Sequence, residues 1–191
     1  MLRATVAVVG LGGLGGYVAE ALARMGVGRL ILIDGDVFEE HNLNRQALST
    51  EGRLGESKAH IAKQRVAEVN SAVEVTAHAT TLTYENLPPL LAGADVVVDG
   101  LDRLPARLML QEGAQALGIP MVHGSIAGFL GQVMTIFPGD PGLRGLYGEA
   151  EGLPEQGLEA QLGTPAATPM AVGAWEGQEV VKILTGKGVT L

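Results

Sequence analysis

The feature that most constrains this chain is a glycine-rich turn that directly follows an apolar, β-branched segment. Residues 4–9 read Ala-Thr-Val-Ala-Val-Val, which is typical of a strand buried on both faces of a parallel sheet. The next residues form a G-x-G-x-x-G pattern, and apolar residues then recur at helical spacing over 13–25. This order predicts a phosphate-binding strand-turn-helix unit, in which the phosphate lies against the bare backbone of Gly10, Gly12, Gly13, Leu14 and Gly15.

Strands and helices alternate along the rest of the chain. Further strands are predicted at 30–33, 73–79, 96–98 and from 121, and helices at 57–69, 105–117 and 170–184. This alternation predicts an α/β protein with a Rossmann-like, doubly wound, mainly parallel sheet and ligands at the carboxyl ends of its strands. Residues 132–137 predict a strand that pairs with its predecessor, so an antiparallel extension is expected after about residue 120.

One long segment interrupts this regular pattern. Residues 138–166 combine prolines and glycines with the acidic residues Glu149, Glu151, Glu155 and Glu159, and we predict a flexible crossover loop there. A connection of this length is uncommon unless it has a function, which favours a functional crossover or a partner-binding segment over a passive link. The remaining pattern is that of one core, so a single domain is expected over 1–191.

The composition narrows the classes of function. The formal net charge of −8 opposes the backbone of nucleic acids and anionic membrane surfaces, so neither is expected as a partner. No apolar run is long enough to span a bilayer and no signal peptide is evident, which favours a cytoplasmic protein. The absence of cysteine excludes disulfides, a thiolate zinc site and a cysteine nucleophile, and the four histidines lack metal-ligand spacing.

A carboxylate accompanies the glycine turn at the end of the second predicted strand. Asp34 stands where such a group can accept hydrogen bonds from the hydroxyls of a ribose. On the turn and Asp34 alone, an oxidoreductase that uses a nicotinamide or flavin dinucleotide is the leading interpretation.

The loop after the second strand favours a triphosphate instead. Residues 42–46 read Asn-Leu-Asn-Arg-Gln, and Lys58 follows at a predicted helix start. The planar guanidinium of Arg45 can grip a phosphate, and Lys58 can add a point charge over the β- and γ-phosphates. Farther on, residues 98–102 read Val-Asp-Gly-Leu-Asp, which places a carboxylate just past a buried strand, facing the same crevice, where it can hold Mg²⁺.

Taken together, these motifs resemble the ubiquitin-activating-enzyme-like superfamily of adenylyltransferases, the group of ThiF, MoeB and HesA. The resemblance is carried by residues 10–15, Asp34-Gly35-Asp36, residues 42–46, Lys58, and Asp99 with Asp102. It continues through residues 120–137 and through a closing helix that contains Gly173, Glu176, Glu179 and Lys182, so almost the whole chain takes part.

The resemblance implies an enzyme that binds ATP with Mg²⁺ and adenylylates the C-terminal glycine carboxylate of a small ubiquitin-like sulfur-carrier protein, releasing pyrophosphate. It implies that Arg45, Lys58 and Asp102 are catalytic, with Asp102 as the magnesium ligand. It implies that Asp34 binds the ribose, and that the remaining nucleotide-binding residues are Asp36, Asn42 and Gln46. The family also implies a homodimer.

The chain departs from the family in its lack of cysteine. Many members hold a structural zinc with two C-x-x-C pairs, but here residues 143–146 read Leu-Arg-Gly-Leu. We therefore expect adenylate formation without a zinc site and without a thioester. Two alternatives stay open: a noncatalytic scaffold or heterodimer half of the same family, and an NAD-dependent oxidoreductase.

Overall fold

The structure is a computed structural model that describes residues 1–148, 154 and 157–191. Its sheet consists of β1 (Thr5–Val9), β2 (Arg29–Ile33), β3 (Glu74–His78), β4 (Val96–Asp99), β5 (Met121–Ala127) and β6 (Leu130–Ile136). The helices are α1 (Gly15–Arg24), α2 (Lys58–Val69), α3 (Leu87–Leu91), α4 (Leu104–Ala116), α5 (Gly142–Tyr147), α6 (Glu159–Leu162) and α7 (Ala167–Thr185). Short 3₁₀ turns at Glu40–Asn42 and Glu51–Arg53 lie in the loop between β2 and α2.

The strands lie in the spatial order β3-β2-β1-β4-β5-β6. The first five run parallel, and β6 pairs antiparallel with β5 from Met121↔Ile136 to Ala127↔Leu130. The predicted doubly wound, mainly parallel sheet with an antiparallel extension is therefore confirmed. The order of connection reverses between β1 and β4, so a crevice opens at the carboxyl ends of these two strands, where such folds bind ligands.

Each face of the sheet carries its own hydrophobic core. Val6 and Val8 of β1 point to the face covered by α1, α2 and α7, whereas Ala7 and Val9 point to the face covered by α3, α4 and α5. Burial on both faces explains why the parallel strands are nearly continuous apolar runs. None of the helices within residues 1–148 and 157–191 is long and apolar enough to cross a membrane.

Helix α7 packs closely on α1 through two glycines. A Cβ at Gly173 would lie 3.0 Å from the Cβ of Tyr17, and Gly177 makes a similarly close approach one turn later. The absence of side chains at these two positions lets α7 approach α1 closely. Met170 and Trp175 of the same helix are 52% and 55% exposed in the single chain.

The segment predicted as a crossover loop contains two short helices, α5 and α6, which the sequence pattern did not predict. Leu143 of α5 is fully buried against α4, and its N–H donates to Gln111 Oε1 at 2.6 Å. This tertiary contact stabilises a helix that the local sequence alone would not sustain. Helix α3 was also missed. Of the acidic residues expected in the loop, Glu159 begins α6, and Glu149, Glu151 and Glu155 lie outside the described residues.

Candidate functional site

A single cleft at the carboxyl ends of β1, β2 and β4 collects most of the predicted site residues. Those that line it are Gly10, Gly12, Gly13, Leu14, Asp34, Asp36, Arg45, Gln46, Lys58 and Asp102. Gly15 and Asn42 do not line it. Residues that are far apart in sequence therefore meet where the doubly wound topology places a ligand.

The glycines of the turn fall into two groups, those that packing requires and those that leave space in the cleft. Gly10 has φ +84°, and a Cβ there would lie 2.6 Å from the Gly100 carbonyl. A Cβ at Gly15 would overlap the Gly10 carbonyl oxygen. At Gly12 and Gly13, by contrast, the nearest atoms to an added Cβ lie at 3.4 and 3.5 Å, which is ordinary contact. The packing of the protein thus requires glycine at positions 10 and 15, whereas the bare backbone at 12 and 13 leaves space in the cleft.

The backbone of this turn presents free donors to the cleft. Within the part of the chain that the structure describes, the N–H groups of Gly12, Gly13 and Leu14 donate no hydrogen bond, and no side chain caps α1 at Leu14. Amides at the start of a helix, together with the helix dipole, favour an anion. The turn therefore has the geometry of a phosphate cradle.

Because Gly15 is required by packing and Gly12 is not, alanine substitutions at these two positions are expected to have different effects. Gly15→Ala is expected to lower the free energy of unfolding by about 1–3 kcal/mol or more, because the new Cβ meets backbone that cannot move aside. Gly12→Ala is expected to unfold within about 0.5–1 kcal/mol of the wild type, the usual difference between glycine and alanine. If the cleft binds ATP, as the sequence leads us to expect, the affinity of this variant for ATP is expected to fall at least about tenfold. Urea unfolding and calorimetric titration with ATP measure the two effects. Equal losses of stability in both variants would contradict this interpretation.

Asp34 ties the glycine turn to the end of β2. Its Oδ2 accepts from Leu11 N at 2.7 Å, and its Oδ1 accepts from Asp36 N at 2.8 Å. Burial raises the pKa of Asp34, and the hydrogen bonds from these two amides oppose that shift. Each carboxylate oxygen has a further lone pair, so Asp34 can hold the turn and still accept from a ligand hydroxyl in the cleft.

The loop between β2 and α2 brings Arg45 and Gln46 beside the glycine turn. Arg45 Nε lies 3.8 Å from the position of a Cβ at Gly13, and its Nη1 donates to the His41 carbonyl at 3.0 Å. Gln46 is 6% exposed, and its Oε1 has no partner among the described residues. Asn42 has a supporting position instead, because its Oδ1 accepts from Glu39 N at 3.0 Å and closes a 3₁₀ turn.

Lys58 is the first residue of α2, and it lines the cleft. Its Nζ pairs with Asp36 Oδ2 at 3.0 Å, and its N–H donates to the Asp36 carbonyl at 3.0 Å. The Lys58 side chain is only 9% exposed, whereas the Asp36 side chain is 73% exposed. A partly desolvated amine is thus held in place by a solvated carboxylate, which a phosphate can join or replace.

Asp102 lies on the opposite side of the cleft, in the loop that joins β4 to α4. It is exposed, and in the described ranges no hydrogen bond or ion pair holds its carboxylate. No three acidic or histidine side chains converge into a metal-binding group among the described residues. One free carboxylate suits Mg²⁺ that is also bound by nucleotide phosphates and water, rather than a cage made by protein alone.

Asp99 is a scaffold residue and not part of the cleft. It is fully buried, its Oδ1 accepts from Leu101 N at 3.0 Å, and its Oδ2 lies 2.7 Å from His123 Nδ1. The carboxylate past the β4 strand that faces the crevice is therefore Asp102 alone. The other histidines are exposed or half-buried.

Several cleft residues were not predicted from the sequence. Thr80 and Thr81 follow β3, Glu159 and Ala160 belong to α6, and Arg107 belongs to α4. For Arg107 a signal existed, since it falls between Leu104 and Leu108 on the apolar face of its helix, where a charge is unusual. The others follow only from tertiary contacts.

The fold and the cleft define a class of protein: Rossmann-like α/β proteins with a ligand cleft at the switch point of a doubly wound sheet. Within that class, the model of the ThiF family matches residues 1–191. This chain belongs to the ThiF family.

Three similar proteins align with nearly the whole of this chain. The SAMP-activating enzyme E1 of Haloferax volcanii is 38% identical, over 100% of this chain and 71% of that protein. The sulfur carrier protein adenylyltransferase of Thermus thermophilus is 38% identical, over 99% of this chain and 72% of that protein. The adenylyltransferase and sulfurtransferase MOCS3 of Mus musculus is 39% identical, but the match covers only 41% of its length.

Solved structures show the same fold. E. coli MccB in complex with MccA-N7isoASN superposes with a TM-score of 0.85 over 100% of this chain and 59% of MccB, at 24% identity. The protein TcdA (CsdL) superposes with a TM-score of 0.65 over 68% of this chain, at 32% identity. These similarities support the architecture described above.

Proposed function

We propose that this protein is an adenylyltransferase that activates the C-terminal glycine carboxylate of a small ubiquitin-like sulfur-carrier protein with ATP. The products are a carrier acyl-adenylate and pyrophosphate. The observation that carries this proposal is the convergence on one cleft of the free amides of the glycine turn, the cations Arg45 and Lys58, and the carboxylates Asp34 and Asp102. A dinucleotide lacks the terminal phosphates that two cations at this position would neutralise.

The proposed reaction needs alignment and charge neutralisation rather than a base. A carrier carboxylate oxygen attacks the α-phosphorus of ATP, the bond from that phosphorus to the oxygen bridging to the β-phosphate breaks, and pyrophosphate leaves with the bonding electrons. The nucleophile is already ionised at neutral pH, so no proton moves. Catalysis then comes from holding the reactants in line and from preorganised positive charge.

The residues that line the cleft have separate roles in the proposed reaction. The amides of Gly12, Gly13 and Leu14 bind phosphate oxygens, and Asp34 accepts from the ribose hydroxyls. Arg45 and Lys58 neutralise the charge that develops on the phosphates and the leaving pyrophosphate. Mg²⁺ bound to the phosphates would add positive charge to the same groups, and Asp102 is the residue that would hold it.

The carrier, the oligomer and the compartment belong to the same proposal. The names of the Haloferax and Thermus relatives refer to SAMP and to a sulfur carrier protein, which supports a carrier of that kind for this chain. The tail of such a carrier would enter the cleft near α6 and the glycine turn, since Glu159 and Ala160 line the same cleft as Gly13. We propose that the protein is a cytoplasmic homodimer. We also propose that it uses no zinc, because the chain has no cysteine to hold the metal in the manner of many family members.

Arg45→Ala tests this function directly. Calorimetric titration of the wild type with ATP and Mg²⁺ is expected to give saturable binding, whereas NAD⁺ gives none. The variant is expected to bind ATP at least about tenfold more weakly, because a charge-assisted bond to phosphate is worth about 1.5–3 kcal/mol. A β-grasp carrier that ends in Gly-Gly is expected to support pyrophosphate release.

The carrier provides the control in that experiment. Amidation of its terminal carboxylate is expected to abolish pyrophosphate release, because the nucleophile is lost, while ATP binding persists. Release without a carrier, or with the amidated one, would contradict the proposal. ATP binding without release for any Gly-Gly carrier would favour the scaffold alternative, and hydride transfer to or from NAD would favour the oxidoreductase.

A further inference from the structure

A buried guanidinium lies beneath the loop that carries Asp102. Arg107 belongs to the second turn of α4 and is 7% exposed. Its Nη1 donates to the Gly124 carbonyl at 3.2 Å, and its Nη2 donates to the Leu101 carbonyl. In the described part of the chain no carboxylate pairs with it, and its Nε has no partner. Arg107 acts electrostatically on Glu176 of α7, but its hydrogen bonds go only to carbonyl oxygens. A buried charge bonded in this way is costly, so a role beyond packing is indicated.

The two carbonyls that Arg107 joins belong to different strands. β4 leaves the sheet after Asp99, which is in register with His123, while β5 continues to Ala127. Gly124 is the first β5 residue beyond the paired region, and Leu101 is the second residue past the end of β4. Arg107 thus bridges β5 to the loop at the point where the ladder between the two strands stops.

The peptide groups around Leu101 are held from both sides. Leu101 N donates to Asp99 Oδ1 at 3.0 Å, and Asp99 is itself fixed by His123. The Leu101 carbonyl accepts from Arg107. The next residue is Asp102, whose own side chain has no partner among the described residues. These bonds hold the peptide groups that directly precede Asp102.

We infer that Arg107 is a positioning residue that fixes the Gly100–Asp102 loop, and with it the Asp102 carboxylate, for the proposed adenylylation. This inference rests on the proposed role of Asp102. Arg107 acts through two backbone carbonyls at once, which requires a planar fork with several donors. A lysine carries its three donors on one nitrogen, so it cannot reach the two carbonyls from two separate nitrogens as Arg107 does.

Three variants test the inference. Arg107→Met keeps an apolar stem of similar length but removes every donor, Arg107→Lys keeps the charge, and Arg24→Met is the control on the exposed side of α1. In both Arg107 variants, amide hydrogen exchange in residues 100–103 is expected to rise at least about tenfold, because the clamp on the loop is lost. Thermal unfolding of each variant establishes that the comparison is made between folded proteins, and Arg107→Lys carries the test if Arg107→Met does not fold.

The second readout is binding rather than turnover. ATP affinity without Mg²⁺ is expected to stay within about twofold of the wild type, since the glycine turn, Arg45 and Lys58 are untouched. The Mg²⁺ concentration that half-saturates the gain in ATP affinity is expected to rise at least about fivefold, and adenylate formation to fall by about 10²-fold. A merely structural role would lower stability without moving the Mg²⁺ dependence, and would overturn the inference.

Asp102→Asn separates this inference from the function on which it rests. If Asp102→Asn shifts the Mg²⁺ dependence and Arg107→Met does not, the positioning role of Arg107 is wrong while the metal role of Asp102 stands. If Asp102→Asn leaves the Mg²⁺ dependence unchanged, the proposed metal role fails. Unchanged exchange in residues 100–103 of the Arg107 variants would overturn the clamp in either case.

Discussion

Lys58→Ala is expected to lower the rate of the proposed adenylate formation by about 10²–10³-fold, the cost of removing one preorganised charge from a transition state. The Lys58 amine is nearly desolvated and fixed 3.0 Å from Asp36 Oδ2, so it spends no reorganisation energy when charge moves onto the leaving pyrophosphate. Stability is expected to change by no more than about 1 kcal/mol, because the carboxylate left behind is solvated. Single-turnover pyrophosphate release and urea unfolding measure the two quantities.

Asp36→Asn is the matched control for this prediction. It breaks the same ion pair but leaves the amine in the cleft, since Lys58 N still donates to the Asp36 carbonyl and anchors the start of α2. Its turnover is expected to stay within about tenfold of the wild type, because the charge that meets the phosphates remains. If both variants lost activity equally, the ion pair and not the Lys58 charge would be responsible, and the proposed role of Lys58 would be wrong.

The fold could be predicted from the sequence because its constraints are local. β1 and β2 are buried on both faces, so their β-branched composition is visible without knowledge of their neighbours. The turn at Gly10 needs a left-handed φ, a local requirement that favours glycine. Asp34 could be identified from the sequence because it stands at the end of the second predicted strand.

What the sequence did not reveal depends on contacts between distant segments. α5 forms because Leu143 finds a buried place on α4, although its Gly- and Pro-rich surroundings indicate a loop. The same holds for Asp99 and Asp102, which are separated by only two residues. Nothing local shows that the first pairs with His123 inside the protein and the second faces the cleft. Arg107 can bridge β5 and the loop after β4 only because β5 extends beyond the end of β4.

Glu176 was identified only as part of a family motif, and the structure gives it a physical consequence. It is fully buried on α7, against Gly124 of β5, and neither of its oxygens has a partner among the described residues. Burial raises the pKa of Glu176 well above its ordinary value of 4.5, Asp99 raises it further, and Arg107 opposes the shift. The folded protein therefore keeps a proton on this carboxyl that the unfolded chain releases.

Glu176→Gln is expected to stabilise the protein increasingly as the pH rises. Below pH 4.5 the carboxyl is protonated in both states and contributes its full stability. Above that value unfolding releases a proton, so the wild type loses up to about 1.4 kcal/mol per pH unit until the folded group also ionises. Glutamine has nearly the same shape and cannot ionise. Urea unfolding at pH 5, 6, 7 and 8 is expected to give a difference, variant minus wild type, that is small at pH 5 and largest at pH 8.

Glu179→Gln supplies a control of opposite sign on the same helix. Burial raises the pKa of Glu179, but hydrogen bonds from Lys182, Leu191 N and the Thr135 hydroxyl outweigh burial and leave that pKa lowered. Its ionised form therefore stabilises the fold above pH 4.5, and this contribution disappears as the pH falls through the lowered pKa. Glu179→Gln is expected to be less stable than the wild type at pH 7, with a gap that closes in acid. If the two variants responded to pH in the same direction, ionisation of Glu176 would not be the cause of its effect.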